Sequence, residues 1–144
     1  MKSFIITLLF LTVSSFAYSQ SIVSYHQSPN GGQAAYAYEF NERFRPEIRL
    51  YPNTAIEDFL VKLMFNYDLI DKENHEFYSG ISLLGSTVGG ATFGLAVGIN
   101  IYPFENKNFG FLMEFSPNIP LDEAGTPYFS GSWGIRYRLQ KSKD

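Results

Sequence analysis

Residues 91–102 read Ala91-Thr92-Phe93-Gly94-Leu95-Ala96-Val97-Gly98-Ile99-Asn100-Ile101-Tyr102, with a large apolar side chain at every second position from Phe93. One face of this stretch would be large and apolar: Phe93, Leu95, Val97, Ile99 and Ile101. The other face would be small or polar: Gly94, Ala96, Gly98, Asn100 and Tyr102. Because successive side chains of a strand point to opposite faces, this period predicts a β-strand with one apolar face.

The same two-residue period recurs along the chain. Beyond residue 20 we find no stretch of ten or more residues with a convincing helical period. Six further runs alternate in the way expected of strands: 34–41, 44–51, 59–69, 76–83, 109–116 and 129–139. A weaker run at 21–27 would supply an eighth strand. The sequence therefore predicts an all-β fold of eight antiparallel strands in up-and-down order.

The composition of the 144 residues excludes several classes of protein. Hydrophobic residues make up 45% and aromatic residues 17%, and the net charge of −3 is only weakly acidic, which is unlike a disordered chain or a basic nucleic-acid binder. No cysteine is present, so there is neither a disulfide framework nor a thiolate zinc site. We expect one domain, no nucleic-acid partner, and no metal or other cofactor.

The N-terminal segment has the pattern of a secretory signal peptide. Lys2 precedes an apolar run at 4–13, and the small residues Ala17 and Ser19 follow it. This spacing predicts cleavage after Ser19, with cleavage after Gln20 or an uncleaved anchor as alternatives. The expected organisation is a signal peptide over 1–19 and a barrel domain over 20–144.

The composition of the two faces indicates which one points outward. The small or polar faces are rich in Gly, Ala and Ser with isolated charges, whereas the apolar faces carry no charged residue. Small residues suit a crowded lumen, and an uncharged apolar surface suits contact with lipid. We therefore predict an eight-stranded transmembrane β-barrel. The alternative is a soluble secreted β-barrel whose Phe-rich face lines a cavity for a small apolar ligand.

Connection lengths fit a barrel that starts and ends on the periplasmic side of an outer membrane. The predicted inner turns are short: 42–43, 70–74 and 103–107. The predicted outer loops are 28–32, 52–57, 85–90 and 117–127. Aromatic side chains would collect near the inner interface: Phe40, Phe44, Tyr67, Phe77, Phe104, Phe109 and Tyr137. Loop 117–127 is the longest, and its Asp122 and Glu123 are the expected contact for an extracellular or envelope protein partner.

Two stretches resemble a known family. The block 94–114 and the closing Gly134-Ile135-Arg136-Tyr137-Arg138-Leu139 are similar to the small eight-stranded outer-membrane β-barrel proteins of Gram-negative bacteria, of the outer membrane protein β-barrel domain type. The resemblance implies contact with outer-membrane lipids including lipopolysaccharide, and brings no catalytic motif with it.

The chain departs from this family's pattern in two places. Many such barrels end on an aromatic residue, whereas here Gln140-Lys141-Ser142-Lys143-Asp144 follows Leu139. Pro46 removes a hydrogen-bond donor from a predicted strand, which indicates either a bulge or a mistaken strand assignment.

Charged residues collect on the predicted lumen face. The inner half would hold Glu39, Arg45, Glu47, Asp68, Glu76, Arg136 and Arg138, and the outer half Arg49, Lys62 and Glu114. An eight-stranded barrel is just wide enough for its own side chains, so this balanced set predicts a lumen plugged by ion pairs. The alternative is a narrow polar pore or proton path.

One segment suggests an enzyme. His26-Gln27-Ser28-Pro29-Asn30 is similar to the His-any-Ser-Asn motif of the lipid A deacylases, in which a Glu on the neighbouring strand orients the His. Pro29 interrupts the motif. A turn centred on Asn30 and Gly31 would also leave Glu39 about 20 Å away from the pair, so the orienting carboxylate would be missing. We therefore expect a strand end and a turn here, and a solvated loop position for His75, rather than a catalytic or metal site.

Overall fold

The computed structural model describes residues 20–41, 43–52, 58–122 and 125–139. The predicted signal peptide over 1–19 lies outside the described residues, as do Glu42, most of the predicted loop 52–57, the expected partner contact Glu123, and 140–144.

Eight antiparallel strands form one closed barrel in chain order. They are β1 (Gln20–Ser28), β2 (Gly31–Glu39), β3 (Phe44–Leu50), β4 (Leu60–Asp71), β5 (His75–Ser86), β6 (Gly90–Ile101), β7 (Phe109–Pro120) and β8 (Tyr128–Leu139). The weak run at 21–27 is indeed a strand, since β1 pairs with both β2 and β8 and closes the barrel. Within the described residues, no helix is long and apolar enough to cross a membrane.

The strands tilt against the barrel axis. Paired residues followed once around the barrel run in this order: Ile22, Ala37, Glu47, Met64, Ser82, Gly94, Asn118 and Tyr128. The path ends at the first residue of β8, yet the direct β8 partner of Ile22 is Arg138, near the other end of that strand. This offset is the stagger that closure of a tilted sheet requires.

The barrel is polar inside and apolar outside. The alternating small or polar residues point into the lumen, where Arg45, Arg49 and Glu76 are each 1% exposed. The Phe-rich faces point outward, with Phe111 and Phe115 about half exposed. The alternative in which the Phe-rich face lines a cavity is therefore wrong about which face is inside.

The turns are placed differently from the prediction because some strands continue further and others end earlier, the inner turns 42–43 and 103–107 becoming 40–43 and 102–108. We name the end with the β2–β3, β4–β5 and β6–β7 turns the inner end, and the opposite end the outer end. The outer connections are Pro29-Asn30 and residues 51–59, 87–89 and 121–127, instead of 28–32, 52–57, 85–90 and 117–127. The inner turn predicted at 70–74 is reduced to 72–74, because a register shift between Asp68 and Ile70 lets β4 continue.

The β1–β2 turn is centred one residue earlier than expected. Ser28 pairs with Gly31 and His26 with Gln33, so Pro29 and Asn30 are the central residues. Proline suits the first central position because its ring fixes φ there, and Gly31 follows with a φ of 115° that favours glycine.

Pro46 lies within β3 and produces no shift of register. β2 and β3 pair from Ala34 with Leu50 to Ala37 with Glu47, and the bridge between Phe40 and Phe44 continues the same register. Pairing with β2 is interrupted only around Pro46, which has no N–H to donate. The strand assignment was therefore right, and the interruption is a local gap rather than a bulge.

Pro117 is also inside a strand, although the sequence placed it in a loop. The β6–β7 pairing skips from Gly94 with Asn118 to Val97 with Phe115, which puts Pro117 opposite Leu95 in an unchanged register. The Ser116 hydroxyl donates to the Leu95 carbonyl at 2.6 Å. A neighbouring side chain thus supplies the donor that the proline lacks.

Replacing Ser116 by alanine should therefore destabilise the barrel by about 1–2 kcal/mol, since the Leu95 carbonyl loses this donor. Urea unfolding in micelles, followed by tryptophan fluorescence, measures the change. Ser79→Ala, on the outward face of β5, is the control and should leave the unfolding midpoint in place. Equal midpoints for both variants would show that Ser116 does not compensate for Pro117.

Candidate functional site

All ten charged residues singled out from the sequence face the lumen. Nine are less than a tenth exposed, and the side chain of Arg138 is 11% exposed. They come from β2, β3, β4, β5, β7 and β8, because each inward position of a strand alternates with an outward one. Five acids and five bases meet there, and the structure arranges them in two clusters.

The outer cluster is built around Glu114 on β7. Arg49 donates two hydrogen bonds to its carboxylate, from Nη1 at 3.0 Å and from Nη2 at 2.6 Å. The Tyr78 hydroxyl donates a third at 2.8 Å, and Lys62 Nζ lies 3.7 Å away. A bidentate guanidinium–carboxylate pair has fixed geometry, so Arg49 ties β3 to β7 across the lumen.

Glu47 belongs to this outer cluster, not to the inner half in which the sequence placed it. Its Oε1 accepts a hydrogen bond from Arg49 Nε at 2.5 Å. Residues two apart on a strand share a face, so Arg49 can reach Glu47 along β3. His26 Nε2 lies 3.6 Å from the same carboxylate.

The inner cluster is built around Glu76 on β5. Arg136 lies 3.4 Å and Arg45 3.8 Å from its Oε2, and Arg138 contacts its Oε1. The Tyr102 hydroxyl donates to Oε2 at 2.6 Å. Glu76 therefore accepts contacts from three buried guanidinium groups and is the centre of charge balance at this end.

Two further carboxylates complete the inner cluster. Asp68 lies 3.3 Å from Arg45, and Glu39 lies 3.1 Å from Arg138. The guanidinium of Arg138 also lies 5.3 Å from the centre of the Tyr102 ring. Arg45 and Arg138 are thus each shared between two acids, which offsets the cost of burying their charges.

Tyr78 connects the two clusters. Its hydroxyl binds Glu114 of the outer cluster, and the Arg45 guanidinium of the inner cluster lies 4.7 Å from its ring centre. A Cβ at Gly98 would lie 2.3 Å from this ring, so the glycine provides the space that the ring occupies. Alternation predicts that Tyr78 and Tyr102 point inward with Glu76 and Asn100, but it does not indicate their partners.

The geometry does not assemble the hydrolase site. His26 Nε2 lies 3.1 Å from the Ser24 hydroxyl, while Ser28 binds the Gly31 carbonyl and Gln33 instead. Glu39, the acid considered from the sequence, lies beside Arg138, and the carboxylate near His26 is Glu47 of β3. Ser24 and Glu47 both approach Nε2, whereas a catalytic triad uses both ring nitrogens.

The other histidine lies far from this group. His75 is the first residue of β5 rather than a loop residue, and its Nδ1 lies 2.7 Å from Asn74 Oδ1. Among the described parts of the chain, no three histidine, aspartate or glutamate side chains gather closely enough to hold a metal ion.

A small cavity of about 30 Å³ lies in the outer mouth of the lumen, between the outer cluster and the outer turns. Its walls include Gln33, Lys62, Ser132 and two tyrosines that flank the mouth, Tyr51 and Tyr128. Burial raises the pKa of the Tyr51 phenol, so this group stays protonated at neutral pH. A cavity of this size holds about two water molecules or one small ligand group.

Solved structures share this fold, among them the following three. A chain from a study of the de novo design of transmembrane β-barrels matches with a TM-score of 0.58 and 8% identity, over 84% of this chain and 94% of that one. The N-terminal β-barrel domain of Pseudomonas aeruginosa OprF matches with a TM-score of 0.56 and 10% identity, over 84% and 96%. De novo designed TMB2.3 matches with 0.56 and 12%, over 85% and 94%.

No family model matches the chain, and no curated protein matches it in sequence. At these identities the structural likeness establishes the fold. The protein is an eight-stranded, antiparallel, up-and-down β-barrel, with the fold of the transmembrane β-barrels that it matches, as the sequence predicted.

Proposed function

We propose that the protein is an outer-membrane β-barrel with a structural or surface-interaction role and a lumen that is plugged rather than open. The observation that carries this proposal is the double set of ion pairs across the lumen, centred on Glu114 and Glu76. These side chains occupy the space that a pore would need, because the lumen of an eight-stranded barrel is only just wide enough for its own side chains. We propose no catalytic activity, because Ser24 and Glu47 both approach the same nitrogen of His26 and do not form a triad.

The proposed location rests on a prediction from the sequence and on the outward face of the barrel. The predicted signal peptide would direct export, and the outward face is a continuous apolar surface. Aromatic residues lie at the inner end as expected of an interfacial belt, with Phe104 and Phe109 ring centres 6.5 Å apart and Phe109 paired with Tyr137. Lipids of the outer membrane, including lipopolysaccharide, would contact this surface.

We further propose that the outer loops meet an extracellular or envelope protein partner. Loop 121–127 is the candidate contact, shorter than the sequence predicted because β7 extends to Pro120. Asp122 is exposed in this loop, and its carbonyl accepts a hydrogen bond from Gly125 N at 3.0 Å.

Electrophoresis of outer-membrane fractions, boiled and unboiled, tests location and fold together. A folded membrane barrel resists SDS until it is heated, so we expect the two samples to migrate differently. Recovery in the soluble periplasmic fraction, with identical migration of both samples, would overturn the proposal.

Arg136→Ala tests the plug. Its loss removes one of the cations around Glu76 and should lower the unfolding temperature, without producing current across a planar lipid bilayer, because Arg45 and Arg138 still fill the inner lumen. Arg43→Ala in the exposed β2–β3 turn is the control, and it should unfold at the parent temperature. Single-channel current through the unmodified protein would contradict a plugged lumen.

A further inference from the structure

Two buried polar atoms in the wall of the outer cavity have no hydrogen-bond partner within the described chain. They are Gln33 Oε1 and Ser132 Oγ. Gln33 is 4% exposed, and the hydrogen bond of its Nε2 with Ser28 fixes the orientation of its amide group. Ser28 gives its only hydroxyl hydrogen to the Gly31 carbonyl, so it must accept from Gln33 Nε2, at 3.1 Å. Gln33 therefore presents an acceptor to the cavity.

Lys62 presents donors to the same cavity. Its ammonium group is 3.7 Å from Glu114, whereas Arg49 holds that carboxylate at 2.6 Å and 3.0 Å. A ligand that fits must accept from Lys62 and donate to Gln33. A hydroxyl group does both. A simple anion cannot donate a hydrogen bond to Gln33, and a simple cation would be repelled by the positive charge of Lys62.

The surroundings of the cavity favour a neutral ligand. The charges beneath it balance, with Arg49 and Lys62 opposite Glu47 and Glu114. At the outer rim, the described charged residues are the acids Asp58 and Asp122, which disfavour an anionic ligand. The mouth also carries Tyr128, 36% exposed, whose ring offers an apolar face beside these polar groups.

We propose that the outer mouth binds the hydroxyl-bearing end of a neutral saccharide. One hydroxyl or hydroxymethyl group enters the cavity of about 30 Å³ and bonds Gln33, Lys62 and Ser132, while the sugar ring stays above it beside Tyr128. The inference deepens the surface-interaction role proposed above, and rests on it for the outward direction of this end. The saccharide could belong to the membrane's own lipopolysaccharide or to the surrounding medium.

Saturation-transfer NMR on the folded barrel tests the site itself. The protein is kept in alkyl phosphocholine micelles, whose headgroups contain no sugar, and the probes are methyl glucoside, methyl galactoside, methyl mannoside and maltose. We expect transfer to at least one probe, and at least a fivefold weaker affinity for Gln33→Leu and Ser132→Ala, since each removes one hydrogen bond.

Outward-facing substitutions on the same barrel are the controls. Gln27→Leu and Ser79→Ala should bind the probe as the parent does, and heat-dependent migration verifies that every variant is folded. The absence of transfer to all four probes, or equal affinity in the cavity variants and the controls, would overturn the proposal and leave the cavity to water. Neither result depends on whether the lumen conducts ions, so the plugged lumen is tested separately by the single-channel measurement.

A second arm distinguishes the two sources of saccharide. The barrel is placed in phospholipid vesicles with and without lipopolysaccharide, and the probe that showed saturation transfer in micelles is titrated again. Weaker probe binding only in the lipopolysaccharide vesicles would assign the site to the membrane's own sugar. Equal binding in both would assign it to saccharides in the medium.

Discussion

Gly134→Ala should prevent β8 from closing against β1. A Cβ at this position would lie 1.9 Å from the Tyr25 carbonyl oxygen and 3.0 Å from the His26 Cα. These are backbone atoms of the paired strand, so no side-chain rotation relieves the clash, and closure would need the two strands to separate. We expect loss of about 3 kcal/mol or more, and little or no SDS-resistant folded protein.

Gly131→Ala in the same strand is the matched control. A Cβ there would meet only the Glu114 carbonyl oxygen at 3.8 Å, which is an ordinary contact. This variant should retain the heat-dependent migration of the parent and its midpoint of urea unfolding. A Gly134→Ala protein that behaves like Gly131→Ala would mean that the seam between β1 and β8 is looser than the structure shows.

Glu76→Gln should be the most damaging substitution among the lumen charges. The amide has nearly the same shape, but the negative charge around which Arg45, Arg136 and Arg138 gather is gone. Asp68 and Glu39 then face an excess of buried positive charge. Breaking a buried ion pair costs roughly 3–5 kcal/mol, and we expect a loss in this range from urea unfolding in micelles.

Glu73→Gln in the exposed β4–β5 turn removes the same charge without touching the cluster, and should change stability by less than about 0.5 kcal/mol. Equal stability of the two variants would show that the inner cluster contributes nothing to the fold. Restoring the balance offers a further check, because Glu76→Gln combined with Arg138→Gln should be more stable than Glu76→Gln alone.

Alternation was enough to predict seven of the strands and the inward position of the ten lumen charges. A residue two places away from Phe93 or Trp133 must share its face, so inside and outside follow from the sequence once the apolar face is placed outward. The weak run at 21–27 alternates poorly and was assigned as a strand because an up-and-down barrel that starts and ends on the same side needs an even number of strands.

Partners across the lumen could not be predicted, because alternation carries no information about stagger. His26 on β1 lies 3.6 Å from Glu47 on β3, two strands away, and the pattern within either strand gives no indication of that contact. Proline was also misleading. The sequence suggested that a loop begins at Pro117. In the structure the Ser116 hydroxyl replaces the missing N–H of Pro117 as hydrogen-bond donor to the Leu95 carbonyl, so the strand continues.

The ion pairs across the lumen form only when the strands of the barrel are correctly aligned. Arg49 and Glu114 are 65 positions apart in the chain, and Arg136 and Glu76 are 60 apart. Neither pair can form until β3 has met β7 across the lumen and β5 has met β8, in the correct alignment. A strand inserted one residue out of step would turn its charges toward the acyl chains. A shift of two residues keeps the charges inside but separates them from their partners, so the lumen charges favour the native alignment during folding.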